Sequence, residues 1–541
     1  MPTLNWIGKD KVVSHHQDVP YRVLEHKYGF IVDPSKDSSQ ESEQPTNSGN
    51  KIIHGDNLEA LKSLLPEYEG KVKCIYIDPP YNTGNEGWVY NDNVNHPKIK
   101  KWLGDVVGKD GEDLTRHDKW LCMMYPRLKL LQKLLADDGA IFISIDDNEQ
   151  ANLKLMCDEI FGASQYISSM VWRRRTSSQM AQSKISIDHE YVVAYFKNRN
   201  SKFNGTKKDY KNYSNPDNDH RGAWTLGDLT VGMTKDQRPN QFFDLINPYN
   251  GDLYSPSPKR VWTFAPDTME QKIKENRVVF PKLKKGKPMM KRFLSELKSD
   301  IDPLSTWINK EAYSVGLNSE GTKVIQDIFL DKIFDYPKPI SLIKLLISQI
   351  GDKNSIILDS FSGSGTTAHA VLNLNKQDGG NRKFILVEME DYANDITAER
   401  VKRVAKGYGK DKRKVEGTGG AFDYYELGLP LFDENQNLNE QVAIEKIREY
   451  IWFSETRTSA SLSTINPESN DKYFLGKKDE SAYYFIYEKD RLTTIDFDAL
   501  ELIKTKGEQY VVYADNCLLP KEFMAKKNII FKKIPRDITR F

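Results

Sequence analysis

Cysteine is scarce in this chain: Cys74, Cys122, Cys157 and Cys517 are the only four in 541 residues, and none sits in a Cys-x-x-Cys pair. Such spacing argues against a disulfide framework and against a cysteine-rich zinc site. His189 has no second histidine at ligand spacing in Asp188-His189-Glu190-Tyr191, so it reads as a hydrogen-bonded structural residue and no metal is expected. Long apolar runs are missing as well; none reaches the roughly eighteen residues a spanning helix needs. The opening Met1-Pro2-Thr3-Leu4-Asn5-Trp6 lacks the basic segment and apolar run of a secretory signal. A cytoplasmic protein is therefore expected. Charge of one sign is absent overall, with 78 Lys+Arg against 77 Asp+Glu. Any nucleic-acid surface must come from uneven distribution. No Gly-Lys-Ser/Thr follows a glycine-rich loop, so ATP hydrolysis is not expected.

What is present is a rhythm of short apolar runs and helical stretches. Lys51–His54, Val72–Ile77 and Ala140–Ile145 read as strands, and Asn57–Leu65, Arg116–Leu135 and Glu149–Phe161 as helices, with a possible kink at Pro126. The rhythm breaks over about 200–330. It resumes with a helix at 338–350, a strand at 355–359, a helix at 366–374, a strand at 382–387 and a helix at 393–405. Continuous apolar strands alternating with helices predict an α/β fold with a parallel sheet covered on both faces. The expected organisation is an N-terminal arm and flexible linker (1–50), one core half (51–200), an insertion (201–333), the second core half (334–410) and a small α+β C-terminal domain (411–541).

Four strand ends carry the candidate chemistry, since ligands in parallel sheets sit outside the carboxyl ends of the strands. Asp78-Pro79-Pro80-Tyr81 directly follows the strand that ends in Cys74-Ile75-Tyr76-Ile77. A carboxylate and a rigid prolyl carbonyl can hold both hydrogens of an exocyclic amine, and Tyr81 offers a face on which a flipped base stacks. Taken alone, the same residues describe a proline turn. Asp359-Ser360-Phe361-Ser362-Gly363-Ser364-Gly365-Thr366-Thr367 follows another strand and opens a helix. Its glycines allow close approach of a ligand, and the helix N-terminus and two hydroxyls suit an anionic group. Glu388 ends the next strand, where ribose hydroxyls are held in dinucleotide-type folds, though it also reads as a solvated turn beside Glu390 and Asp391. Asp56 ends the strand before Asn57; it fits a helix N-cap equally well as a partner for an adenine amino group.

Together these motifs resemble the amino-group DNA methyltransferases of the β arrangement, in which a D-P-P-Y half precedes a target-recognition insertion and an F-x-G-x-G half follows. Leu4–Lys9, RHDKWLCMMYPRL (116–128), DGAIFISIDDNE (138–149), FDYPKP (334–339), ILVEMEDY (385–392) and GTGGAFDYYEL (417–427) are further similar to the modification subunits of type III restriction–modification systems. The resemblance implies a circularly permuted Rossmann-like core that uses S-adenosylmethionine to methylate adenine N6 in double-stranded DNA after base flipping. It implies that Asp78, Pro79, Pro80 and Tyr81 hold the target base, and that Asp359, Phe361, Gly363, Gly365, Thr366 and Glu388 bind cofactor. Thr367 and Asp56 join the cofactor set by their place. A homodimer and a restriction nuclease–helicase partner are implied too. Cytosine N4 is the alternative target, and a recognition module serving mainly that partner is the alternative role.

The insertion is where the charge becomes uneven: residues 197–300 hold 21 Lys+Arg against 12 Asp+Glu. The densest run is Lys282-Leu283-Lys284-Lys285-Gly286-Lys287. Such a run suits phosphates, and equally a solvated loop. Arg221, Arg238, Asn240 and Gln241 are base-reading candidates by residue type alone.

Overall fold

The computed structural model describes residues 3–33, 38–83, 101, 116–176, 185–282, 286–458, 460 and 471–538. Among these, eleven strands form one central sheet. In chain order they are Arg22–Asp33 (β1), Ser38–Ser42 (β2), Lys51–His54 (β3), Val72–Ile77 (β4), Leu135–Ile145 (β5), Tyr166–Arg173 (β6), His189–Phe196 (β7), Trp307–Ile308 (β8), Ile356–Asp359 (β9), Lys383–Glu388 (β10) and Gly420–Pro430 (β11). Across the sheet the order is β8-β6-β7-β5-β4-β9-β10-β3-β11-β1-β2. The six strands from β5 to β11 in that order are parallel. β7 runs antiparallel to β5, and β1 antiparallel to β11.

The central strands are apolar on both faces because helices cover both. Ile75, Ile77, Leu358, Ile385 and Val387 share a core with the helices Asn57–Tyr68 (α1) and Arg116–Leu134 (α2). The alternate residues Cys74, Tyr76, Ile357, Phe384 and Leu386 are equally buried and point the other way. On that side lie Ile340–Ile350 (α3) and Thr366–Asp378 (α4). Pro126 lies inside α2, and the helix continues through it. The chain order β3, β4, β5 followed by β9, β10 places the later strands between β4 and β3. That is the permuted doubly wound arrangement expected from the sequence.

Two compact units are distinguishable, one comprising residues 1–203 with 305–541, the other 204–304. The second unit is built on a sheet of Trp224–Asp228, Val278–Val279 and Met289–Phe293 with the helix Pro266–Lys274. Leu229, Leu245, Tyr254, Trp262, Met269 and Val278 form its core, so the aromatic Tyr254 and Trp262 of the insertion are structural. Arg221 is turned onto Asp219, with Nε and Nη2 at 2.8 and 2.7 Å from its two carboxylate oxygens. Arg238 and Asn240 are exposed beside a short turn, with Gln241 half-buried. Leu283–Lys285 of the basic run lie outside the described residues.

The unit boundaries differ from those drawn on sequence. Residues 305–333 belong with the first unit because Trp307–Ile308 pairs with β6. The 1–50 segment supplies β1 and β2 to the sheet instead of a flexible linker. The boundary at 411 falls just before β11, which inserts between β3 and β1. The tail also shares the main core, through Tyr450 and Ile451 of the helix Ile444–Thr456 and through Phe485, Val511 and Tyr513. Strand pairing drives the boundary differences, since β8 pairs with β6, and β1 and β11 pair with each other.

Asp423 on β11 shows how the polar 43–50 segment is fixed. Its Oδ1 accepts from the Thr46 amide at 2.7 Å, its Oδ2 from the Thr46 hydroxyl at 2.8 Å, and His26 Nε2 lies 3.1 Å away. The carboxylate is buried, so Asp423→Ala leaves these donors unsatisfied. We expect a loss of about 2–3 kcal/mol. Faster proteolytic cleavage within residues 43–50, with the rest of the digestion pattern unchanged, checks this expectation.

Candidate active site

Four neighbouring parallel strands, β4, β9, β10 and β3, end in or next to acidic residues: Asp78, Asp359, Glu388 and Asp56. The register Cys74↔Ile357 and Ile75↔Leu358 brings the two sequence halves side by side. One narrow cleft is consequently lined by Asp78 and Tyr76 from the first half and by Asp359, Phe361, Gly363, Thr366 and Thr367 from the second. Phe334 and Lys338 line it as well.

The glycine loop is held from behind by its carboxylates. Asp359 accepts from the Phe361 amide at 3.1 Å and the Thr367 hydroxyl at 2.5 Å. Glu388 accepts from the Gly363 amide at 2.7 Å and the Glu390 amide at 3.1 Å. Gly363 has φ 49° and Gly365 φ 81°, in the left-handed region that favours glycine. A Cβ on Gly363 would lie 3.1 Å from Phe334 Cζ, and one on Gly365 3.2 Å from the Thr397 carbonyl oxygen. Buried Arg400 donates to Ser364 Oγ at 2.7 Å and Thr366 Oγ1 at 2.8 Å. The Ser360 and Ser362 hydroxyls are buried without a partner among the described residues.

Asp78 is engaged by groups that sequence reasoning missed. Lys338 Nζ donates to Oδ1 at 2.8 Å and to Oδ2 at 2.7 Å, across a separation of 260 residues. The Tyr81 hydroxyl lies 3.0 Å from Asp78 Oδ1 and 3.1 Å from Glu190 Oε2 and shares its one hydrogen between them. Arg174 Nη1 donates to Glu190 Oε1 at 2.9 Å. Burial pushes the Asp78 carboxyl above the usual aspartate value, with the Lys338 ammonium working against it. For Lys338, burial opposes the charge, but Asp78 and Glu190 outweigh it and its pKa lies above the usual lysine value. Trp120 Nε1 donates to the Pro80 carbonyl at 2.7 Å, which fixes the prolyl segment. Buried Glu149 accepts from Asn82, whose φ of 59° turns the chain just after the motif.

Asp56 realises its N-cap reading: Oδ1 accepts from the Leu58 amide at 2.9 Å and the Glu59 amide at 3.2 Å. Its Oδ2 lies 3.5 Å from Arg127 Nη2. Neither Asp56 nor Glu388 lines the cleft itself; Glu388 touches it through Gly363. His189, set aside as a metal ligand, stacks edge-on against Tyr191 at 5.0 Å. Among the described residues, no helix is long and apolar enough to cross a membrane.

Comparison with known proteins accounts for this arrangement. The model of the DNA methylase family matches residues 72–399. The chain belongs to that family. The matched span opens at the first residue of β4 and takes in both the Asp78 motif and the glycine loop, while Asp56 precedes it. The chain is 37% identical over 387 residues to the type III restriction–modification enzyme StyLTI Mod subunit of Salmonella typhimurium LT2, covering 66% of this chain and 57% of the relative. It is 30% identical over 443 residues to the EcoP15I Mod subunit of Escherichia coli, covering 73% and 65%. It is 32% identical over 379 residues to the type II methyltransferase M.KpnI of Klebsiella pneumoniae, covering 67% and 84%. The chain thus spans less than two thirds of the length of the first two relatives. The resemblance read from the motifs is borne out by this DNA methylase membership.

The two loop carboxylates make stability depend on pH. Burial pushes Asp359 up to about 7 and Glu388 up to about 7. For acids raised on folding, the stabilisation is complete below the unfolded values, near 4, and is lost as pH rises through about 7. Each group then costs about 4 kcal/mol at alkaline pH. Thermal melts between pH 5 and 8 are therefore expected to fall more steeply for the wild type than for Asp359→Asn or Glu388→Gln. Equal slopes would show that the loop carboxylates titrate normally.

Proposed function

We propose that this DNA methylase transfers a methyl group from S-adenosylmethionine to the N6 amine of an adenine flipped out of duplex DNA. We further propose that it does so as the modification component of a type III restriction–modification system, as a homodimer with a nuclease–helicase partner. The observation that carries the reading is the shared cleft: Asp78 of one half and the Asp359–Thr367 loop of the other face the same space.

The residues present fit the cofactor. The loop hydroxyls of Ser360 and Ser362 have no partner among the described residues, and Ser362 lines the cleft, where a polar ligand would relieve a burial cost of about 1–3 kcal/mol. The space beside Gly363 is one a side chain would fill. Asp359, Phe361, Gly363, Gly365, Thr366 and Thr367 would hold the amino-acid end at the start of α4, and Glu388 the ribose. Asp56 would use the oxygen left over from its cap for the adenine ring. When bound, S-adenosylmethionine supplies an electrophilic methyl carbon whose bond to sulfur breaks with the electron pair staying on sulfur.

On the base side, Asp78 accepts one amine hydrogen and the Pro79 carbonyl the other, since the Pro80 carbonyl is occupied by Trp120. That polarisation frees the nitrogen lone pair for attack. The surplus proton leaves through Asp78 to solvent. Tyr81 stacks on the base. Asp at the first motif position favours adenine. One of the chain's relatives, 22% identical over 382 residues, is the DNA adenine methyltransferase YhdJ of Escherichia coli. The exposed Arg238 and Asn240 in the 204–304 unit are the better candidates for reading bases, since Arg221 is committed to Asp219.

Long-read mapping of DNA from cells with and without the protein is expected to show N6-methyladenine on one strand of a short asymmetric site. N4-methylcytosine would overturn the adenine assignment. In the purified protein, Asp78→Ala is expected to lower transfer by at least about 100-fold with cofactor affinity nearly unchanged. Gly363→Val is expected to lose cofactor binding. Retained transfer in the first variant, or normal binding in the second, would sink the corresponding role.

A further inference from the structure

Lys338 occupies Asp78 much as a substrate amine would. Its ammonium contacts both carboxylate oxygens, at 2.8 and 2.7 Å. Under the reading above, a flipped base needs one of those oxygens. The conflict is more than steric. Methyl transfer leaves positive charge on the base nitrogen, and an ammonium held on the same carboxylate opposes that charge by like-charge repulsion, which is strong between buried charges. Lys338 and Asp78 are each only 8% exposed, so protein groups are the ammonium's main partners.

A second carboxylate stands beside it. Glu190 Oε2 lies 3.6 Å from Lys338 Nζ, and Glu190 is itself 3% exposed. Arg174 fixes its other oxygen, and the Tyr81 hydroxyl bridges Glu190 and Asp78. Asp78, Glu190, Lys338 and Arg174 sum to no net charge, so a shift of the ammonium inside the group buries no new charge. Resting on the proposed role of Asp78, we infer that Lys338 is a shuttling placeholder: it holds Asp78 while the site is empty of base, and passes to Glu190 when the target amine arrives. Lys338 and Glu190 are then positioning residues. The first keeps a buried carboxylate ionised and aimed until it is needed. The second clears the cation from the reacting nitrogen. A purely structural cation would stay on Asp78 throughout.

The test compares the full chain and three variants in single-turnover transfer from S-adenosylmethionine to duplex DNA carrying a mapped methylation site. Cofactor affinity and thermal melts are measured alongside. Glu190→Gln removes the receiving charge, so the transfer rate is expected to fall about tenfold or more with cofactor affinity within about twofold. Glu190→Asp is expected to recover part of the rate. Lys338→Arg keeps the charge but grips Asp78 with a rigid two-pronged fork, so it too is expected to slow transfer. Should Glu190→Gln fail to fold, Lys338→Arg carries the test. A wild-type rate in Lys338→Arg, or in a folded Glu190→Gln, overturns the shuttle, as does a loss of cofactor affinity parallel to the loss of rate. Wild-type chain that binds S-adenosylmethionine yet methylates no base overturns the role of Asp78 and the shuttle with it.

Discussion

The parallel pairing of β4 with β9 sets Cys74 against Ile357 and Ile75 against Leu358, joining segments that precede and follow residues 204–304 in the chain. Each strand is buried on both faces, so its register is held by apolar packing as well as by backbone hydrogen bonds. A slip of one residue would exchange the two faces of the strand and turn Asp78 away from Asp359. The cleft, the glycine loop and the contact between Lys338 and Asp78 all depend on that register. So does the place of β10, which pairs with β9 on one side and with β3 on the other.

The same sheet creates an electrostatic problem at each strand end, and the two halves answer it differently. Asp78 is compensated by a cation, Lys338, which shares its charge with Glu190. Asp359 and Glu388 are compensated by backbone amides and by the hydroxyls of Thr367 and Tyr392, and no ion pair to either is found among the described residues. Amides hold a carboxylate in position but neutralise little of its charge, which is why burial dominates and both groups are pushed up to about 7. A ligand bringing positive charge or hydroxyl donors to this loop therefore gains more than one meeting a fully paired site. The half proposed to meet the amine is charge-balanced; the half proposed for the cofactor is left short of positive charge.

Much of this was readable from sequence because it rests on local signals. Strand, acid, glycine turn and helix start follow one another in Ile356–Thr367, and the strand ahead of Asp78 is equally plain. Lys338 was not readable as a site residue. It sits between prolines in FDYPKP, where only a resemblance marked it, and its partner is 260 residues away. Glu190 was hidden by its neighbour: in Asp188-His189-Glu190-Tyr191 the histidine drew the chemical question, while strand alternation turns Glu190 to the buried side. Domain limits failed for a related reason. Gly420–Pro430 looks like the start of a tail, and only its pairing with β3 and β1 shows it to be a sheet strand.

The order of the halves along the chain matters little once the register is fixed. Strand pairing is decided by burial and hydrogen bonding between β4 and β9, whichever comes first. Separating them by a unit of their own folding capacity adds only a loop-closure cost, which grows slowly with length. The chain leaves the first unit after Phe203 and re-enters at Ser305, next to β8 at the edge of the sheet. An insertion there interrupts no buried pairing in the centre. The 204–304 unit has its own core, from Leu229 to Val278, and can change its exposed residues without disturbing the register that aligns Asp78 with Asp359. The exposed surface of that unit and the geometry of the cleft can thus vary independently on one scaffold.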